Sequence, residues 1–503
     1  MPSQIRLWIT KMNKNVLLLL FLVLIGIAIL ATGCTMAPKY ARPAAPIPTA
    51  WPTGTAYEVG VSTNAPQAVD VKWRDYFTDS KLQKVIGLAL TNNRNLRVAA
   101  LNVEYTLAIY GIRRAELLPT LSAFASGSRQ RVPADLSSSG NRQISSRYDA
   151  NLGVASWEID FFGRIRSLKD RALEEYLASE QARRSTQLLL VASVSQAYLT
   201  MAADKESLKL AETTLEAQQG TYNLVKKRRE LGLAPELDLF RAQTQVDTAR
   251  GDVARFTQLI AQDKNALDLL VGSPTPPELL PGQLATVKPP KEISAGLSSE
   301  VLLRRPDVLQ SEDQLKAAYA DIGAARAAFF PRISLTTAFG TASSQLSGLF
   351  KAGSGAWSYA PEIVMPIFDA RTWSALKATK VQREIAVTQY EKAIQNAFKE
   401  TADALAVRGT VDDQIASQQS LVHANAETYR LSNFRYTMGI DSYLSVLDAQ
   451  RSLYSAQQGL VTLNLTKLAN DVRLYAVLGG GWDADKPSIP VAAKTTPEEP
   501  KKN

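Results

Sequence analysis

Two spans of this chain carry almost no strand or turn signal. From about Arg164 to Leu231, and again from Arg371 to Met438, Ala, Leu, Gln, Glu, Lys and Arg predominate, and no proline occurs from Ala134 to Ala234 or from Ile367 to Lys486. These residues favour helix, and at 1.5 Å per residue each span predicts a helix of roughly 100 Å. Each run stops at a glycine, Gly232 or Gly439, the residue best suited to a left-handed helix cap. A new helix restarts at once, over Glu236–Leu270 and Ser442–Leu478, with Leu453 and Leu460 a heptad apart, the spacing of a coiled-coil seam. The pattern therefore predicts one long antiparallel helical hairpin, made twice.

Between the helical spans the period changes to two. Tyr148, Ala150, Leu152 and Val154 alternate with Asp149, Asn151 and Gly153; Ile333, Leu335 and Phe339 share one face, as do Trp357, Tyr359, Ile363 and Met365. Such alternation predicts strands that are apolar on one side and small or polar on the other. Ser/Gly-rich loops, Ser137–Gly140 and Ser343–Gly355, separate the members of each pair. A moderate helix precedes each pair, roughly Lys81–Leu117 and Asp307–Phe329, and ends at Pro119 or Pro331, where proline forbids continuation.

The two halves are copies. Tyr222–Gln243 and Tyr429–Gln450 share, at a constant offset of 207, the pairs Tyr222/Tyr429, Leu224/Leu431, Arg228/Arg435, Gly232/Gly439, Leu237/Leu444, Ala242/Ala449 and Gln243/Gln450. Upstream, at offset 212, Gly111, Arg114, Ala115, Pro119 and Ser122 match Gly323, Arg326, Ala327, Pro331 and Ser334. This divides the chain into a first repeat at 34–273, a Pro-rich linker at 274–306, a second repeat at 307–482 and a disordered tail at 483–503. The fold class is mainly α with a small β part.

The start of the chain sets the compartment. Arg6, Lys11 and Lys14 precede an apolar run, Val16 to Leu30, and the small residues Ala31-Thr32-Gly33 lead into Cys34, the sole cysteine. Residues 1–33 thus form a signal peptide, and Cys34 is placed as the acylated first residue of a lipoprotein. An uncleaved anchor helix with an idle thiol is the plainer alternative. Losing 1–33, with three positive charges and no negative ones, lowers the net charge from +9 to +6. The remaining basic residues are scattered among acidic ones, so nucleic-acid binding is not supported. The lone histidine, His423, lacks partners at ligand spacing. No GxSxG, P-loop or GxGxxG occurs, so no enzyme is expected, and no cofactor beyond the covalent lipid.

Outside the signal no apolar run reaches the length of a membrane helix, which leaves the strands as the membrane-crossing candidates. A sheet spans lipid only as a closed barrel, and four strands are too few to close one. If they cross, several chains share one barrel; the alternative is a water-soluble sheet packed on the helices.

The duplication, the signal with Cys34, the Pro-terminated helices and the hairpin landmarks resemble the TolC-type outer-membrane factors. The likeness is greatest to the lipoprotein branch (OprM-like, NodT-like) of resistance-nodulation-division efflux systems. Supporting motifs are Trp73-Arg74-Asp75-Tyr76-Phe77, Leu90-Thr91-Asn92-Asn93, Trp157 to Arg164, Leu303-Arg304-Arg305-Pro306-Asp307 and Pro366-Ile367-Phe368-Asp369. The resemblance implies a homotrimer whose chains give four strands each to a transmembrane barrel, with an α-helical tunnel in the periplasm. It implies an outer-membrane exit duct for drugs or other toxic compounds, served by a periplasmic adaptor and an inner-membrane pump. It also implies a periplasmic gate at Leu444, Asp448 and Arg451, and adaptor contacts at the tips Gly232, Leu233, Ala234, Pro235, Gly439, Ile440, Asp441 and Ser442. The first repeat keeps Leu237 but has Arg241 where Asp448 stands, so the acidic ring belongs to the second hairpin alone. A plain intrahelical Asp448–Arg451 pair explains the same spacing, and the tip glycines are equally explained as caps. The rival functions are a type I protein-secretion duct and a coiled-coil lipoprotein that spaces the envelope layers.

Overall fold

A computed structural model describes residues 35–57, 65–296 and 298–480. Cys34, the signal segment and the tail at 483–503 lie outside the described residues. In chain order the elements are α1 (Trp73–Tyr76), α2 (Ser80–Asn92), α3 (Arg94–Ala115), β1 (Leu121–Val132), β2 (Gln143–Glu158), α4 (Arg164–Glu230), α5 (Glu236–Val271), α6 (Pro306–Ala327), β3 (Arg332–Ser343), β4 (Gly355–Val364), α7 (Ala370–Thr437) and α8 (Tyr443–Val477). The long helices α4 and α7, of 67 and 68 residues, fall where the helix-forming spans predict them. Among the described residues no helix is long and apolar enough to cross a membrane.

One expectation fails locally. The continuous helix from Lys81 to Leu117 is two helices, broken at Asn93, whose backbone is extended (ψ 129°). Asn93 caps the second: its side-chain oxygen accepts from the Leu96 N–H at 2.9 Å, while its amide donates to the Leu270 carbonyl at 2.8 Å. Asparagine is a strong N-cap, so the break is encoded in a residue that the apolar periodicity does not register. Met365, grouped with the last strand, falls one residue past β4.

The residues separate into two compact units, and neither is one sequence repeat: each draws on both. Of the described residues, the first comprises those within 35–44, 103–179 and 311–390; the second comprises those within 45–102, 180–310 and 391–480.

The first unit holds the sheet, a four-stranded antiparallel meander in the order β1-β2-β3-β4. Registry places Ala123, Leu152, Phe339 and Trp357 in one cross-strand row, and Leu121, Val154, Thr337 and Tyr359 in the next. Leu152, Phe339, Trp357, Tyr359 and Ile363 on this face are all more than half exposed. The other face presents Ser122, Ser126, Asp149, Asn151, Gly153 and Glu362. Gly153 and Gly340 permit β2 and β3 to approach: a Cβ on Gly153 would collide with the Thr337 carbonyl, and one on Gly340 with that of Ala150. A bulge follows between Val154 and Trp157, with Ser156 at φ 52°, a conformation costly for a residue with a side chain. The residues after Thr35 are held in this unit by a polar clasp on α6. Glu312 accepts from Tyr40 Oη and Arg42 Nε, each at 3.0 Å, and Arg326 donates to the Met36 carbonyl at 3.1 Å.

The second unit is fastened through the segment that the sequence reads as a linker. Trp51 donates its indole N–H to the Gly296 carbonyl at 3.1 Å, and Tyr76 stacks on Tyr475 with ring centres 4.0 Å apart. Arg305, buried, donates to the Val477 carbonyl at 2.7 Å and to Asp307 and Glu400 at 2.7 and 3.0 Å. The stretch forms only short 3-10 helices, Pro277–Leu279, Leu284–Thr286 and Ser299–Arg304, so side chains fasten it instead.

Candidate functional site at the hairpin tips

The two turns, at Gly232–Pro235 and Gly439–Ser442, are built alike. Each glycine sits at φ +73°. The Gly232 N–H donates to Arg229 and the Leu233 N–H to Arg228, at 2.8 and 2.7 Å; Gly439 donates to Tyr436 and Ile440 to Arg435, at 3.0 and 2.9 Å. This double bond pattern is a Schellman cap, which satisfies the last carbonyls of the long helix. Each turn is then clasped by an ion pair, Arg229–Glu236 at 2.8 Å and Arg435–Asp441 at 2.5 Å. The Arg435 guanidinium holds the Asp441 carboxyl below its usual range.

Behind the turns lies a cluster that periodicity does not reveal as a unit. Val225, Leu239, Ala242, Tyr436, Tyr443, Val446 and Leu447 are buried together, with Tyr222 and Tyr429 packed against them. Tyr436 and Tyr443 lie 5.2 Å apart, and the Arg228 guanidinium covers the Tyr436 ring at 5.0 Å. A cation over an aromatic face contributes about 0.5–2 kcal/mol. Burial pushes the Tyr443 hydroxyl well up from its ordinary range. The available signal is the repeat itself: Tyr222, Arg228 and Ala242 recur as Tyr429, Arg435 and Ala449. The two hairpins thus share one apolar seam at their ends. A further tie runs between α8 and α5, where Tyr454 donates to Asp252 at 3.0 Å. Burial and that carboxylate raise the Tyr454 pKa to about 12.

Outside the seam the tips are apolar and open to solvent. Leu231, Leu233, Leu237, Phe240, Met438, Ile440 and Leu444 are all exposed. Asp448 and Arg451 are exposed too and pair with each other along α8, while Ser452 donates to the Asp448 carbonyl at 2.8 Å. In the first hairpin Arg241, the counterpart of Asp448, makes an Asp-then-Arg pair of the same spacing, to Asp238 at 3.5 Å. Leu444, Asp448 and Arg451 therefore form one exposed stripe near the Gly439 turn, with the intrahelical pair made within the chain. Among the described residues no His, Cys, Asp and Glu group could hold a metal ion.

A family model for outer membrane efflux proteins matches residues 85–273 and 297–480. The chain belongs to the outer membrane efflux protein family. It is 48% identical over 456 residues to the toluene efflux pump outer membrane protein TtgC of Pseudomonas putida, covering 90% of this chain and 94% of that one. It is 41% identical over 461 residues to the outer membrane protein OprJ of Pseudomonas aeruginosa, covering 91% and 95%. Among solved structures, the open state of the Neisseria gonorrhoeae MtrE outer membrane channel superposes with a TM-score of 0.80 at 40% identity, over 89% of this chain and 98% of that one. A membrane protein from Pseudomonas aeruginosa gives a TM-score of 0.85 at 39% identity, over 91% and 100%. The two matched segments of the family model repeat the duplication seen in the sequence, and the fold is that of the TolC-type channels.

Proposed function

We propose that this chain forms, as a homotrimer, the outer-membrane exit channel of a tripartite efflux pump. It conducts antibiotics, solvents or similar toxic compounds from a periplasmic adaptor and an inner-membrane pump to the exterior. The observation that carries the reading is the sheet. Four strands with one exposed apolar face leave two unpaired edges, β1 and β4. Lipid forbids open edges, and twelve strands from three chains satisfy every backbone group. The names of relatives, which include a toluene and an antibiotic efflux pump, support that substrate class.

Conduction needs no chemistry from the protein, only a path and a means of closing it. Leu444, Asp448 and Arg451 supply the means. In a threefold arrangement three Asp448 carboxylates face one axis and select for cations, and Arg451 offsets their repulsion. The apolar tips at Gly232–Pro235 and Gly439–Ser442 are the adaptor contacts, since exposed apolar patches of this kind mark protein interfaces. Cys34, acylated, anchors the mature chain to the outer membrane.

The test uses full-length protein extracted in detergent and reconstituted in planar bilayers. The expected result is a trimer by light scattering, with discrete conductance steps and a deletion strain sensitised to small toxic compounds. A well-behaved monomer without conductance would overturn the reading. A deletion strain defective only in secreting a protein would favour a type I secretion duct.

A further inference from the structure

The two faces of the sheet treat their arginines differently at the loop end. On the polar face Arg147 is neutralised: its guanidinium donates to both Asp149 oxygens, at distances from 2.9 to 3.1 Å. On the apolar face the register continues outward from the Tyr148–Gly127 row to Arg129 opposite Ser146, then Arg131 opposite Ile144. Arg142 follows on the connecting loop. All three are exposed, and among the described residues no carboxylate pairs with any of them. The 133–142 connection carries one acidic residue, Asp135.

Their height on the sheet gives them a partner. The register runs from the Ile333–Ile363 row, through Ser343–Tyr148, to Arg129–Ser146. These twelve residue steps, at ~3.4 Å each, cover about 40 Å along the strands. Strands in membrane barrels tilt by roughly 40°, which leaves about 30 Å along the membrane normal, the thickness of the hydrocarbon layer. Tyr148 then falls at the aromatic interface, and Arg129 and Arg131 stand just beyond it among the lipid headgroups. The helices leave the sheet at the opposite end, so these headgroups are those of the outer leaflet. The guanidinium fork matches phosphate oxygens in pairs, and the site lacks the acidic partner that its polar-face counterpart has.

We propose that Arg129, Arg131 and Arg142 form a docking surface for the phosphate groups of the outer-leaflet glycolipid, lipid A. The assignment rests on the membrane orientation in the proposed function. A bound lipid would fix the rim of the barrel and seal the protein–lipid boundary where the β1–β2 loop emerges.

The experiment compares wild-type full-length protein with the triple variant Arg129→Gln, Arg131→Gln, Arg142→Gln, and with Arg147→Gln/Asp149→Asn as the polar-face control. Binding of fluorescent bisphosphorylated lipid A, and of the same lipid with its phosphates removed, is measured by thermophoresis in detergent. Each sample is also checked for trimer and for conductance. The expected result is about tenfold weaker binding for the triple variant, a similar loss with the dephosphorylated lipid, and no change in the polar-face control. Inorganic phosphate at equal concentration should not compete. If all proteins are trimeric and conduct yet the triple variant binds lipid A as tightly as wild type, the docking surface is refuted and the channel stands. Equal binding of dephosphorylated lipid, or full competition by inorganic phosphate, refutes it likewise. If wild type neither trimerises nor conducts, the channel reading fails and the docking surface with it.

Discussion

Arg305 offers the most direct test of how the Pro-rich segment is held. Its guanidinium donates to the Val477 carbonyl, to both Asp307 oxygens and to Glu400, and its side chain is 10% exposed. Arg305→Met keeps the aliphatic stem and removes all four bonds. Asp307 and Glu400 are 39% and 43% exposed, so water replaces much of what they lose, and the full penalty for splitting a buried ion pair does not apply. The Val477 carbonyl is different: the residue is buried, and its other donor, Thr401, stands at 3.5 Å. A buried acceptor left unmade costs about 1–3 kcal/mol. With the residual charge interactions the total is about 3 kcal/mol, roughly a hundredfold in the local opening equilibrium. Native-state hydrogen exchange on the full-length protein should show that loss of protection in amides around 299–305 and 474–479. Arg305→Lys, which keeps a charge but not the fork, should fall between. Unchanged exchange in Arg305→Met would refute the view that this side chain fastens the segment.

Three further outcomes follow from specific contacts. Gly340→Val should abolish the heat-sensitive oligomer band on gels, because any Cβ there meets the Ala150 carbonyl and β2 parts from β3; Gly355→Ala, at the open start of β4, should retain the band. Asp263, raised from 3.8 to about 6 by burial and by Asp204 beside it, binds its proton more tightly in the folded than in the unfolded chain. Stability therefore falls as pH rises from about 4 to 6, and Asp263→Asn should flatten that slope and raise the melting temperature at pH 7. Asp448→Ala with Arg451→Ala should raise single-channel conductance with little change in melting temperature. The exposed pair is worth only about 0.2–0.5 kcal/mol per chain, so the hairpin stays folded while a threefold axis loses its three carboxylates, and Arg241→Ala should do less.

What the sequence discloses depends on the physical range of the signal. The long helices were legible because composition acts over tens of residues and glycine ends them: Gly232 and Gly439 mark both turns within a residue. Strand faces were legible from alternation at Leu152, Phe339 and Trp357. The break at Asn93 was not, since one side chain overrides a favourable helical context by bonding to its own backbone and to Leu270. The fastening of the Pro-rich segment was equally hidden. Arg305 bonds across 172 positions to Val477, and no local pattern encodes such a contact. At the tips the stripe of Leu444, Asp448 and Arg451 followed from helical spacing, whereas the tyrosine seam needed two hairpins to be brought together.

The duplication explains why the tips combine a rigid seam with an adjustable surface. Several positions retained between the copies do structural work: Gly232 and Gly439 make the same cap, and Ala242 and Ala449 are both buried. Buried positions resist change because added volume or a lost contact costs several kcal/mol. Exposed positions escape that constraint, and at one of them the copies diverge in charge: Arg241 pairs with Asp238, its counterpart Asp448 with Arg451, each three residues apart on its own helix. Reversing the sign costs the hairpin almost nothing in stability, since both pairs are local and solvated. In the proposed trimer it changes what faces the axis. The gate proposed on such residues can therefore be retuned without disturbing the helices that carry it, because the buried tyrosine seam that joins the two hairpins is made by other side chains.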